Sequence, residues 1–215
     1  LKAVALDQGW KWRILEENVA YTINTTGSFV DYLNSLGKNT RLRLYNRRKL
    51  LESLGKVVIK DVEPGNEDSF FEHLKRFYRH RWNSPCFGGS RGMKFQRDFL
   101  QRLPQEGGKH WLSELWLNNR LISVLYNVEF EGRVYNIQGG FDETIHKKLS
   151  PGMLHFGYVI QRCFQNAEVK TFDMLVGEGK SENYKARIAT DTETLASVMI
   201  IRSWLLRILY RLKNT

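Results

Sequence analysis

Two cysteines, Cys86 and Cys163, are all that 215 residues contain. They are too few for a disulfide framework, fit a reducing compartment, and supply no cysteine zinc site. Histidine is almost as scarce: there are five, with no HxxxH or HxH spacing, so the sequence predicts no metal centre. No apolar run reaches the roughly 18 residues of a membrane span. No signal peptide is read at the start, and there is no internal repeat or low-complexity tract. Acid is also short: 23 Asp and Glu face 33 Lys and Arg, leaving a net charge of +10. That balance points to an anionic partner, whether nucleic acid, a phosphorylated ligand or a lipid surface.

What is present is ordinary for a globular protein: 42% hydrophobic and 26% charged residues, in a chain long enough to bury one large core. Residues 1–27 carry strand-like pieces and read as a linker or the tail of an upstream half. Residues 26–55 read as a helix with Thr26 or Ser28 as cap, Gly55 as stop and Gly37 as a breaking point. A strand over 56–63 ends at Pro64-Gly65, and 67–82 is a helix with an apolar face through Phe70, Phe71, Leu74 and Phe77. A Gly-rich loop, "NSPCFGGSRG", leads to a short helix ended before Pro104. Three alternating segments between 109 and 141, with tight turns at Asn118-Asn119 and "FEGR", predict an antiparallel meander. A helix over 150–166 returns to a strand in "VKTFDML"; a short helix in "SENYKARIA", a strand and a basic amphipathic helix over 201–215 follow. The fold class is α+β, a mainly antiparallel sheet with one strand–helix–strand crossover, its domain spanning 28–200.

Five constellations stand out. In "QGGFDETIHKKLSPG" a helix N-terminus at Ser150, Pro151 and Gly152 offers free backbone N–H groups and the positive dipole end, with Lys147 and Lys148 adding charge. Gly139-Gly140 suggests a bulge or a close backbone approach. In "FDMLVGEGKSENYKAR" a strand leads through glycines to Tyr184, a phenol able to protonate a leaving group, and Lys185, a charge for an oxyanion. Lys38, Arg41, Arg43, Arg47, Arg48 and Lys49 form a basic helix suited to phosphate. "YRHRW" places Arg79, Arg81 and Trp82 before the Gly-rich loop as a pocket wall. The C-terminal helix combines an apolar stripe (Ile201, Trp204, Leu205, Ile208) with arginines, as in helices that lie on anionic membranes. Each also reads structurally, as a capped helix, a packed tyrosine, a solvated face, a buried tryptophan and a docked terminal helix.

Residues 20–190 resemble the GNAT-fold acyltransferases of the CelD-like group in cellulose and exopolysaccharide biosynthesis, and more distantly the FemAB-type aminoacyl transferases. The likeness rests on "GSFVDYLNSLGKNTRLRLYNRRKLLESLGKVVI", on "HLKRFYRHRWNS", and on "GGFDETIHKKLSPGMLHFGYVIQRCFQNAEVKTFDMLVGEGKSENYKAR". The inserted "EGKSEN" before Tyr184 is longer and more charged than the family pattern. The resemblance implies a GNAT-like sheet and transfer of an acyl group from an acyl-CoA (acetyl or longer) to a small-molecule or sugar-linked amine, without metal. Aminoacyl transfer from tRNA is the alternative donor, and a non-catalytic module binding an anionic polymer or membrane the alternative role. It places the protein in the cytoplasm, with the periphery of the inner membrane as a second setting. CoA would be held by Ile137, Gln138, Gly139, Lys147, Lys148, Ser150, Pro151 and Gly152, the amides near Ile137 polarising the thioester. Tyr184 and Lys185 would be catalytic; Arg79, Trp82 and Asp173 would meet substrate. Glu114, Asp142 and His155 are the candidates for the base.

Overall fold

The computed structural model describes residues 1–177 and 184–212. Among the described residues seven strands, β1 (Lys11–Asn24), β2 (Val57–Asp61), β3 (Lys109–Leu117), β4 (Arg120–Phe130), β5 (Arg133–Phe141), β6 (Thr171–Asp173) and β7 (Asp191–Ile201), form one sheet in the order β2-β3-β4-β5-β6-β1-β7. The meander is as expected: β3 (Lys109–Leu117), β4 (Arg120–Phe130) and β5 (Arg133–Phe141) pair antiparallel, and β2 (Val57–Asp61) edges β3. Asn118 and Asn119 both take positive φ, as a tight two-residue hairpin turn requires. The crossover is also as expected: α7 (Pro151–Gln165) carries the chain from β5 to β6 (Thr171–Asp173), which runs parallel to it.

The strand-like pieces read in the first 27 residues are present, but the boundary drawn after them cuts the sheet. Residues 1–27 hold a short helix, α1 (Lys2–Asp7), and a 14-residue strand, β1 (Lys11–Asn24). β1 lies between β6 and β7 (Asp191–Ile201), so the boundary at residue 27 falls within the sequence of one sheet. Only Thr22–Asn24 reach β6; the rest of β1 pairs with β7 alone as a two-stranded ribbon. Ile14, Leu15, Val19, Leu195 and Val198 are exposed on it, so no buried face produces a clean alternation.

The 26–55 helix is broken where Gly37 allows. α2 (Phe29–Ser35) is capped by the Ser28 hydroxyl, which accepts from the Val30 and Asp31 amides. α3 (Lys38–Arg41) then widens into a π turn over Leu42–Asn46 before α4 (Arg48–Ser53). These pieces pack with α7 on one face of the sheet around Leu44, Phe156, Ile160 and Phe172. Gly157 permits the approach, since a Cβ there would lie 2.0 Å from the Leu44 carbonyl oxygen. α5 (Glu67–Trp82) and α6 (Ser90–Arg102) cover the other face through Phe70, Phe71, Leu74, Met93 and Tyr126. α6 starts inside the glycine-rich loop, three residues before the expected Met93. α8 (Tyr184–Ile188) and α9 (Trp204–Leu212) complete the chain.

Candidate active site

β5 and β6 pair through only three residues: Arg133 with Thr171, Val134 with Phe172, Tyr135 with Asp173. Beyond Tyr135 the pairing stops because β6 ends at Asp173, and among the described residues no strand pairs with Asn136 to Phe141 on that edge. β4 and β5 shift register between Asn127↔Asn136 and Tyr126↔Gln138, which makes Ile137 a bulged residue. A bulge re-aims backbone groups away from the ladder. The Ile137–Gly139 backbone, expected to meet a thioester, therefore sits just past the end of β6, where β5 has no partner on that side among the described residues. Gly139 and Gly140 are close approaches, not the bulge: a Cβ would lie 2.9 Å from the Leu125 side chain at Gly139 and 2.7 Å from Phe77 at Gly140. Gln138 turns back, its side-chain oxygen accepting from the Gly139 amide at 3.2 Å.

The 142–150 turn brings α7 back to this opening. Lys147 and Lys148 are exposed, while Pro151 and Gly152 are buried. Ser150 occupies the cap position, but no cap hydrogen bond from its side chain is made. The missing side chain of Gly152 makes room for Phe141, whose ring a Cβ would meet at 2.5 Å. The expectation that Gly152 leaves its backbone open to a ligand is thus corrected: an aromatic ring lies there. Arg81 stacks its guanidinium on that ring at 4.5 Å, lies 3.7 Å from Glu143, and is close enough for its charge to oppose part of the rise that burial imposes on the Tyr184 phenol. Arg81, Phe141, Gly152 and Tyr184 therefore gather at the open end. Arg79 and Trp82, expected to face substrate, are exposed, and the Arg81 guanidinium lies 5.5 Å from the Trp82 ring, so Trp82 borders this cluster.

Tyr184 packs edge-on against Phe156 of α7, with ring centroids 5.9 Å apart. Burial pushes its phenol above the ordinary value, against the Arg81 charge, which keeps it in the protonated form an acid needs. Lys185 is used differently from the expectation. Its ammonium donates to the carbonyls of Met174 (2.6 Å), Leu175 (3.3 Å) and Val176 (2.9 Å). An ammonium has three donors, so Lys185 braces the end of β6 beside Tyr184 rather than offering its charge to an oxyanion. Leu175 takes a left-handed φ of 57° in this turn. Asp173 is also structural: Arg133 binds it at 2.9 Å, the Leu175 amide donates at 2.7 Å, and the same arginine reaches Glu193 on β7. The "EGKSEN" insertion, 178–183, lies outside the described residues.

The three candidate bases separate clearly. His155 is fully buried between Ser113 and Ser123, 3.0 Å from each, and burial drives its pKa down to about 3. The Ser123 hydroxyl donates to the Gly140 carbonyl, so it must accept from Nδ1–H; Nε2 then accepts from Ser113. This is a framework histidine. Asp142 is held by Arg120 and by the Thr144 amide and hydroxyl. Glu114 is buried and accepts from His73 Nδ1 (2.8 Å) and Trp116 Nε1 (3.0 Å). His73 in turn lines a cavity of about 380 Å³ with Arg76, Phe77, Trp116, Arg120 and Asp142. Phe77 forms its inner wall and touches Gly140, so this cavity abuts β5. Sequence reading named Glu114; the group that reaches the cavity is His73, oriented by Glu114. Its signal was its place on α5, one turn from Phe77.

The basic segment also divides. Arg48 turns inward, stacked on Tyr45 at 4.4 Å and Tyr158 at 3.7 Å and bonded to Gln161, so it is no part of a charged face. Lys38 and Lys49 remain exposed. Among the described residues no cluster of three or more His, Cys, Asp or Glu could hold a metal, and no helix is long and apolar enough to cross a membrane.

Residues 38–186 match the family model described as Acetyltransferase (GNAT) domain. The chain belongs to the GNAT acetyltransferase family. Its fold recurs in the crystal structure of FemX, at 11% identity and TM-score 0.66, over all of this chain and 70% of that one. It recurs in L-PGS from Bacillus licheniformis (14% identity, TM-score 0.56, 98% of this chain and 68% of that one). The C-terminal DUF2156 domain of a candidate lysylphosphatidylglycerol synthetase from Agrobacterium fabrum shares it too, at 11% identity and TM-score 0.59, over 98% of this chain and 67% of that one. At these identities the likeness shows the fold alone. No curated protein sequence matches the chain. The family shown is GNAT; the likeness to FemX is one of fold, and a specific tie to the CelD-like group has no finding behind it.

Proposed function

We propose that this GNAT domain is an acyl-CoA-dependent N-acyltransferase, with the donor lying along the free edge of β5. The observation that carries this is the three-residue pairing of β5 with β6, followed by a bulge at Ile137 and an unpaired edge leading to the start of α7. CoA phosphates would meet Lys147, Lys148 and the first turn of α7, where N–H groups and dipole favour anions. The thioester carbonyl would lie at the Ile137–Gly139 backbone. The acceptor amine would occupy the cavity beside Gly140, where Arg76 and Arg120 suit an anionic acceptor. Its nitrogen attacks the thioester carbon, the C–S bond breaks, His73 takes the amine proton and Tyr184 protonates the thiolate. Glu114 stabilises the imidazolium that forms. Exopolysaccharide or cell-envelope assembly is the setting this reading favours. The exposed Trp204, Leu205, Ile208 and Leu209 of α9 support a place at a membrane surface.

Isothermal titration with acetyl-CoA tests the donor site. Binding should weaken by about tenfold or more in Lys147→Glu/Lys148→Glu, since two phosphate-facing charges are reversed. Unchanged affinity in that variant would refute the placement. A second reading, an aminoacyl-tRNA donor, draws on the exposed Lys38 and Lys49 and the +10 charge; steeply salt-dependent RNA binding with no CoA binding would favour it.

A further inference from the structure

The sheet face under α6 carries a second cleft, of about 620 Å³. Its walls are Phe95 and Phe99 of α6, Val128 and Phe130 of β4, and Tyr135 and Ile137 of β5. Asp98, Arg102 and Glu106 supply the polar part of the lining. The size is that of a ligand-holding cleft rather than a packing defect. Phe95 is 64% exposed although it stacks on Phe99, an apolar side chain left in solvent at the cleft's lip.

Position gives the cleft its meaning. Ile137 is both its wall and the bulged residue of β5. From there the cleft passes Tyr135, opposite Val128, toward Phe130, opposite Arg133. It thus extends toward the start of β5, away from the α7 turn. A thioester at the bulge with its CoA toward α7 would send its acyl chain this way. The floor suits hydrocarbon and not a peptide strand. β4 and β5 are bonded to each other there, and Tyr135 also pairs with β6, so no free strand edge underlies the cleft.

We infer that the apolar cleft beneath α6 holds the hydrocarbon tail of a medium- or long-chain acyl donor, making this an acyltransferase for fatty acyl rather than acetyl groups. The inference rests on the donor placement proposed above. Titration of the full chain with acetyl-, octanoyl- and dodecanoyl-CoA below their micellar concentrations tests it. Affinity should rise with chain length by about fourfold for each methylene the cleft takes in. Val128→Phe, which fills the cleft, and Phe95→Asp, which charges its exposed lip without touching the core, should flatten that rise and leave acetyl-CoA affinity unchanged. Acetyl-CoA binding with no gain from longer chains would overturn the inference and leave the donor site standing. A gain that neither variant reduces would also overturn it, because the tail would lie elsewhere. Failure of every CoA thioester to bind would overturn the donor reading and this inference with it.

Discussion

His155 makes the stability of this fold depend on pH in a calculable way. The imidazole is fully buried, with both nitrogens in hydrogen bonds to Ser113 and Ser123, and folding lowers its pKa to about 3. In the unfolded chain it returns to about 6.5. Below that value the unfolded state binds a proton that the native state refuses, so stability falls as pH falls and is fully present only above about 7. With those two values the loss between pH 7 and pH 5 is about 2 kcal/mol. It hardly changes if the native value is as high as about 4, because only the unfolded state titrates in this window. Urea denaturation of wild type and His155→Gln at the two pH values isolates the effect, since every other group titrates in both proteins. Wild type should lose about 2 kcal/mol more than the variant. Equal losses would show that the native imidazole accepts a proton, and would refute both the assigned tautomer and the dry serine–histidine–serine bridge.

Three other substitutions probe the frame around the opening. Gly157→Ala forces a Cβ against the Leu44 carbonyl, a backbone atom that cannot turn aside; a loss of about 3 kcal/mol is expected by thermal denaturation. Arg133→Gln leaves the buried Asp173 with the Leu175 amide as its donor among the described residues, and should cost about 2–3 kcal/mol, discounted because the guanidinium is partly exposed. Lys185→Met leaves three converging carbonyls without their ammonium. It should cost about 2 kcal/mol and lower kcat for acyl transfer more than it changes KM, because the adjoining Tyr184 loses its support; unchanged kcat would remove Lys185 from any part in positioning the acid.

How much of this was readable in advance follows from where the free energy of each element comes from. The meander, α5 and the α7 crossover carry strong periodicity because each buries one defined face, and their boundaries lie close to those expected. β1 was legible as strand-like pieces, but its place in the sheet was not. Most of it pairs with β7 alone, both faces of the ribbon reach solvent, and its apolar residues fall where no core orders them. Among site residues, "QGG" and "SPG" located the end of β5 and the start of α7, since glycine and proline report on backbone geometry directly. Side-chain roles were harder, because a sequence shows a residue type and not its partners. Asp173 and Lys185 suggested chemistry, yet Arg133 and three carbonyls occupy them; His155 suggested a base, yet two serines enclose it.

The same reasoning explains why the residues left with reach are Arg81, His73 and Tyr184. Each stands on a helix whose neighbours fill the core: Phe77 and Leu74 hold α5 against Gly140, and Ile188 anchors α8. Their polar groups lie in different places: His73 borders the cavity over β3 and β4, while Arg81 and Tyr184 lie near Phe141 and the start of α7. His73 is bound on one ring nitrogen by Glu114 and borders the cavity. Tyr184 is gripped through its ring by Phe156. Catalytic groups need support from one side and freedom on the other, and the proposed site draws on the uncovered β5 edge beyond the three-residue β6. Further β5–β6 pairing would add hydrogen bonds and cover the β5 edge along which the proposed donor lies, so on that proposal the short β6 serves function at a cost in sheet stability.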